Sequence, residues 1–294
     1  MDAPCRSNLA SLVAAEVYLD QLMDEGRILF RRGCFGELAA SLPDPDHFSA
    51  PLFPPHGLSI AGYIRRIATF YGAWDQLDYP CAARHADFGP APPGAGHWQR
   101  LVPAPEVADW VRRLAAEDGG DPERWIQYMR DLTVDLFACG ERRLAQGRFP
   151  EAVQNGYAVM EKIAHVRLRL HGAEKSKGLQ DGLGTLAGLR DPLVRPLRDL
   201  RLRIFGRRNQ LVRNHGTKTV GSEDKEALAE GYRLLEQLVL ADRGEAAQRS
   251  LWVARAPQRV VAQLPADQGR AKVTVVDRTS CHGATPWPIT CFLN

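Results

Sequence analysis

LFACGERRLAQGRFPEAVQNGYAVMEKIAHVRLRLHG, residues 136–172, is the stretch that decides the fold class. Val153, Tyr157, Met160, Ala164 and Leu168 recur at spacings of four and three, one face of a helix with 3.6 residues per turn. Upstream, Trp125, Met129, Leu132 and Leu136 trace a second such face. Between the two stands Gly147-Arg148-Phe149. A glycine enters the left-handed conformation that ends a helix, and an aromatic two residues later can plug the angle between antiparallel helices. ILFRRGCFGELAASL (28–42) echoes RLAQGRFPEAVQNGY (143–157), so the same helical hairpin is expected twice. Two copies do not make a solenoid, which needs about three stacked units.

The helical period extends along the chain. Leu12, Ala15, Leu19 and Leu22 predict a helix near the start, and Leu197, Leu200, Ile204 and Leu211 another, with Arg208 on its stripe. Lys225–Leu240 predicts a third, behind the acid-rich opening Ser222-Glu223-Asp224. Two proline- and glycine-rich stretches, 42–57 and 88–97, read as connections, because proline lacks the helical donor and restricts its predecessor. After about residue 248 helical periodicity fades, and Val273–Val276 and Ile289–Phe292 suit short strands. The expectation is an all-α bundle with a helical-hairpin element and a short irregular or β-containing tail.

The 294 residues, 45% hydrophobic and 25% charged, suffice for a sizeable core. Six scattered cysteines without a CxxC pair argue against a disulfide framework or structural zinc and fit reduced thiols in a cytoplasmic protein. Cys281, His282 and Cys291 do not follow a recognised zinc spacing. The N-terminus does not read as a secretory signal, and no window approaches the roughly 18 apolar residues of a membrane span. There is no GxGxxG, GxxxxGK[ST] or HExxH, which leaves nucleotide-fold and zinc-protease readings without support.

The net charge of +3 averages two unlike parts. From His165 to His215 there are twelve Lys/Arg against four acids, a local +8 that leaves −5 for the rest. A basic block in an otherwise acidic chain points to an anionic partner such as nucleic acid, against the plainer reading of a solvated helical face. The block ends in Arg207-Arg208-Asn209-Gln210-Leu211-Val212-Arg213-Asn214-His215-Gly216. Seven residues are nearly two helical turns, so on a helix Arg208 and His215 would share a face about 10 Å apart along the axis. That spacing suits flanking a phosphodiester. Metal-free RNA cleavage needs a base for the 2′-hydroxyl proton, an acid for the leaving 5′-oxygen and a fixed cation for the phosphorane. Histidine serves either proton role and arginine the last. One of each is a thin set, whereas two copies across a two-fold axis would supply two of each.

RNQLVRNHG resembles the Arg-Asn-x(3–5)-His signature of HEPN ribonucleases. Residues 136–172 resemble the HEPN region of the CRISPR-associated ancillary nucleases of type III systems. There a hairpin ending in Gly-x-aromatic leads into Glu-Ala-Val and Tyr-x3-Glu, here Gly147, Phe149, Glu151-Ala152-Val153, Tyr157 and Glu161. FYGAWDQLDYPCA (70–82) resembles a Tyr-x2-Trp-Asp segment of the same proteins, and Gly216–Leu240 matches their downstream helix. The likeness covers about residues 10–240.

The resemblance implies a HEPN-like bundle and a metal-independent, cofactor-free endoribonuclease. It would act in antiviral defence on single-stranded RNA as a homodimer, leaving 2′,3′-cyclic phosphate and 5′-hydroxyl ends. Arg208, Asn209 and His215 match the motif as catalytic residues. Arg207, Arg213 and Asn214 are assigned to RNA binding, Asn214 on its chemistry alone. Family members usually carry an N-terminal CARF sensor for cyclic oligoadenylate. Nothing before residue 70 alternates β and α, so that sensor is expected to be missing, and Ala158 stands where the family often has a basic residue. The expected organisation is an N-terminal helical part of the module (1–120), a catalytic core (121–245) and a tail (246–294). Two rivals are a non-catalytic RNA-binding scaffold of a defence complex and a toxin ribonuclease restrained by a partner protein. Trp74-Asp75 with Asp78 reads as a solvated face rather than a carboxylate pair, and His165 and His171 as surface histidines that could touch RNA phosphates.

Overall fold

The computed structural model describes residues 17, 21, 23–42, 55–116, 121–173, 176–203, 205 and 221–263. Helical residues 23–31 (α1) lead into α2 (Phe35–Ser41), α3 (Pro55–Asp75), α4 (Tyr79–Arg84), α5 (Pro105–Ala115), α6 (Pro122–Ala145) and α7 (Phe149–Leu170). Then follow α8 (Leu179–Gly188), α9 (Val194–Arg203), α10 (Lys225–Arg243), α11 (Ala247–Ala254) and α12 (Ala256–Gln263). No strand occurs among the described residues, so the described part of the chain is all-α.

Prolines mark where helices begin. Pro55, Pro80, Pro105, Pro122, Pro150 and Pro257 each occupy the first or second position of a helix, where the missing donor costs nothing and the fixed φ is already helical. Asp78 and Asp121 add side-chain caps, accepting from Cys81 N and Glu123 N at 3.0 Å. The stretch 42–57, read from sequence as one connection, is therefore helical from Pro55 onward.

Helix ends are as uniform as helix starts. Gly33 and Gly147, the two glycines of the expected hairpins, both have φ of +72°. In each turn the next residue's amide reaches back over a full turn: Cys34 N to Leu29 O at 2.9 Å, Arg148 N to Arg143 O at 2.8 Å. The same two-bond closure recurs at Gly172 and, without a glycine, at Leu77 (φ +63°) and Arg190 (φ +57°). Gln76-Leu77-Asp78-Tyr79 is thus a third copy of the hairpin turn, hidden in the sequence because leucine is not a turn residue. The three turns meet at one end of the bundle. Gly33 lies against the Gln146 side chain, and Gly72 brings α3 against Phe35 and Gly36 of α2.

A single apolar core runs from Phe30 to Val260. At its centre α6 and α7 pair along their lengths, with α10 and α11 on α6 and with α8 and α9 on the α7–α10 side. From Met129 to Arg143 nearly every residue of α6 is buried. Helices α2 to α5 extend this core, and α12 closes it against the short turn Gly96–Leu101, which buries Trp98 and Leu101. The first part of the expected tail is corrected here: α11 and α12 carry the chain helically to Gln263 and bury Leu251, Ala254 and Ala256. At eight residues each they are too short to show a helical period. Val273–Val276, Ile289–Phe292, Cys281, His282 and Cys291 lie outside the described residues.

Candidate functional site

Phe205, two residues beyond α9, is fully buried. Its ring stands edge-on to Tyr232 of α10, centroids 5.8 Å apart, and fills the space left by Gly156 of α7. Tyr232 itself occupies the notch at Gly140 of α6 and donates to Ala152 O at 2.6 Å. The two glycines, Gly140 and Gly156, therefore let α10 and the end of α9 approach the central pair. Arg207, Arg208, Asn209, Arg213, Asn214 and His215 follow Phe205 in the chain and lie outside the described residues.

The other motif residues resolve into parts with physical roles. Gly147 and Phe149 form the α6–α7 turn, Ala152 and Val153 are buried beneath it, and Glu151 pairs with Arg148 at 3.2 Å. Tyr157 and Glu161 are half-buried on α7, Glu161 beside Gly178. Asn155 Nδ2 donates to Cys139 Sγ at 3.5 Å, and burial pushes that thiol up from its ordinary pKa.

The Trp74-Asp75 segment is not a solvated face. Asp75 is 6% exposed, and its carboxylate lies 3.1 Å from Arg142 Nε and 2.6 Å from Arg143 Nη1. Trp74 Nε1 and Tyr79 Oη donate to the two oxygens of the buried Asp135 at 2.9 and 2.8 Å. Burial raises the Asp135 pKa against the nearby Arg142 charge and these hydrogen bonds. Asp78 is the exposed member, spent as the α4 cap. The sequence signal for this cluster was the adjacent Arg142-Arg143 pair within the buried stretch of α6, but its partner is 67 residues away. A carboxylate saturated by two guanidinium groups is structural, not acid–base, machinery.

Of the two histidines expected at the surface, His171 is exposed and His165 is not. His165 is buried on α7, because its helix position faces the core rather than solvent. His171 lies 2.8 Å from Asp191 Oδ2, the oxygen that also receives Arg167 Nε at 2.8 Å. The Leu193 amide donates to the other oxygen at 2.9 Å. Burial works to raise the Asp191 pKa, but the Leu193 amide, His171 and Arg167 outweigh it and hold the carboxyl below its usual range. This carboxylate pins the end of α7 to the α8–α9 connection.

Among the described residues, most of the remaining cations of the basic block are exposed, and Arg201 is half-buried. Arg169, Arg190, Arg195, Arg198 and Arg203 all face solvent, and among the described residues none of the five is paired with an acid. No cluster of three or more His, Cys, Asp or Glu suited to a metal occurs among the described residues, and no described helix is long and apolar enough to cross a membrane. Comparison of the chain with models of known protein families, with curated proteins and with solved structures finds no match.

Proposed function

We propose that this chain is a HEPN-type, metal-independent endoribonuclease that cleaves single-stranded RNA as a homodimer in cytoplasmic antiviral defence. The observation that carries this reading is the order of four motifs on one chain, the third of them Arg208-Asn209…His215 at the close of a +8 block. The helices that bear or flank those motifs, α3, α6, α7, α9 and α10, share one core, which supports the reading. In the proposed reaction His215 takes the proton from a 2′-hydroxyl, whose oxygen attacks the adjacent phosphorus. The P–O5′ bond breaks, and the second copy's imidazole donates a proton to the departing oxygen. Arg208 stabilises the phosphorane charge, while Asn209 holds a phosphate oxygen and Arg207, Arg213 and Asn214 hold the flanking strand. The products are a 2′,3′-cyclic phosphate and a 5′-hydroxyl.

The test compares wild type with His215→Ala on unstructured RNA, with and without EDTA and cyclic oligoadenylate. Wild type is expected to generate new termini in EDTA and His215→Ala none, with equal helical circular dichroism. Cleavage retained by a clean His215→Ala preparation overturns the reading. RNA binding without new termini would favour the non-catalytic scaffold.

A further inference from the structure

Arginines on other surfaces of this protein are commonly matched with an acid one turn away: Arg112 with Asp109 at 2.8 Å, Arg148 with Glu151 at 3.2 Å, Arg124 with Asp121 at 3.8 Å. Helix α9 departs from this habit. Its sequence, VRPLRDLRLR, buries Val194, Leu197 and Leu200 and turns Arg195, Arg198 and Arg203 to solvent. Asp199 stands four residues from both Arg195 and Arg203, the spacing of a helical ion pair, yet neither arginine is paired with it. The buried acid that precedes α9 in the chain, Asp191, is already saturated by Arg167, His171 and the Leu193 amide. Asp181 on α8 is spent on the Lys177 amide at 3.1 Å. Like charges a turn apart repel, so unpaired arginines at this density cost stability unless a partner neutralises them. Leu202, 65% exposed, lies on the same outward side as Arg195 and Arg198 and gives a base an apolar surface to rest on.

We infer that the outward face of α9, which carries Arg195, Arg198 and Arg203 with Leu202 and one acid, Asp199, is a phosphate-binding track for single-stranded RNA, separate in sequence from the Arg208–His215 segment. Arg195 and Arg198 are three residues apart, a rise of about 4.5 Å, close enough to serve neighbouring phosphates of one strand. Guanidinium groups suit the task because their planar fork pairs with two phosphate oxygens at once. The choice of RNA rests on the ribonuclease reading, whereas the polyanion chemistry rests on the α9 face itself. In the chain α9 ends five residues before Arg208.

The experiment measures binding of a fluorescein-labelled oligouridylate to the full chain over a range of salt. Wild type is compared with Arg195→Gln/Arg198→Gln and with a charge-matched control, Arg84→Gln/Arg249→Gln, which removes two exposed arginines from α4 and α11. For a single strand each lost phosphate contact should flatten the slope of log K against log salt by about 0.7. The α9 pair should therefore flatten it by about 1.4, and the control should leave it unchanged. An unchanged slope in the α9 variant overturns the track, as does an equal loss in the control, which would mean net charge alone is felt. Competition by polyglutamate as strong as by unlabelled oligouridylate also overturns it, in favour of an acidic protein partner. The two readings fail separately. A wild type that binds through Arg195 and Arg198 without cleaving loses the ribonuclease and keeps the track. A wild type that cleaves while the α9 variant keeps its KM loses only the track.

Discussion

Arg143 grips Asp75 at two levels: Nη1 lies 2.6 Å from the carboxylate, and Nη2 donates 2.7 Å to the same residue's backbone carbonyl at the last turn of α3. Arg142 reaches the carboxylate from one residue earlier and sends Nη1 to Ala254 O, 3.4 Å away on α11. One aspartate thus ties α3, α6 and α11 together. Asp75→Ala would leave the buried Arg143 without its carboxylate and Arg142 with Asp135 alone beside it, and breaking a buried pair costs about 3–5 kcal/mol. Urea denaturation of the variant should show a drop of that size, and a change below about 1 kcal/mol would refute the cluster's role.

The left-handed residues make opposite predictions for the same geometry. A non-glycine residue in this conformation costs about 1–2 kcal/mol, offset in part by glycine's larger loss of chain entropy. Arg190 is exposed at φ +57°, so Arg190→Gly should raise stability by about 0.5–1 kcal/mol. Gly147→Ala, at φ +72° with open space around it, should lower stability by a similar amount. Thermal unfolding of both variants checks the pair, and the signs must differ.

Gly140 and Gly156 are predicted to tolerate nothing larger. A methyl group at Gly140 would overlap the Tyr232 hydroxyl, and one at Gly156 the Phe205 ring. Overpacking of this kind costs about 1–3 kcal/mol. The decisive comparison is with Gly184→Ala, where no atom is close and the exposed helical site should gain from alanine.

Asp191 should contribute to stability only where it is ionised. Its pKa is lowered on folding, so its contribution is complete above the unfolded value of about 3.9 and is lost as pH falls through the folded value. Wild type minus Asp191→Asn stability should hence be constant above about pH 5 and shrink below it. A difference that instead grows in acid would contradict the assignment.

Much of the fold was legible because it is local. The apolar spacings of α6, α7 and α10 are visible in the residues themselves, and Gly33 and Gly147 announced two hairpin turns that the structure contains. The third turn escaped because Leu77 takes the glycine role under tertiary constraint, and α11 and α12 escaped because eight residues hold barely two turns. The block of charge from His165 to His215 was also legible, but not how it divides. Arg167 and His171 are drawn to Asp191, His165 is buried, and Arg169, Arg190, Arg195, Arg198 and Arg203 are left facing water.

By itself, then, the sequence determined a helical bundle, its principal hairpins and a concentration of positive charge, since periodicity, turn chemistry and formal charge are properties of neighbouring residues. Only the tertiary structure decided that Trp74-Asp75 is a buried tie rather than a wet face, because Asp135, Arg142 and Arg143 arrive from more than 55 residues away. It alone decided which arginines are spent and which remain available, because a guanidinium is neutralised by what lies beside it in space.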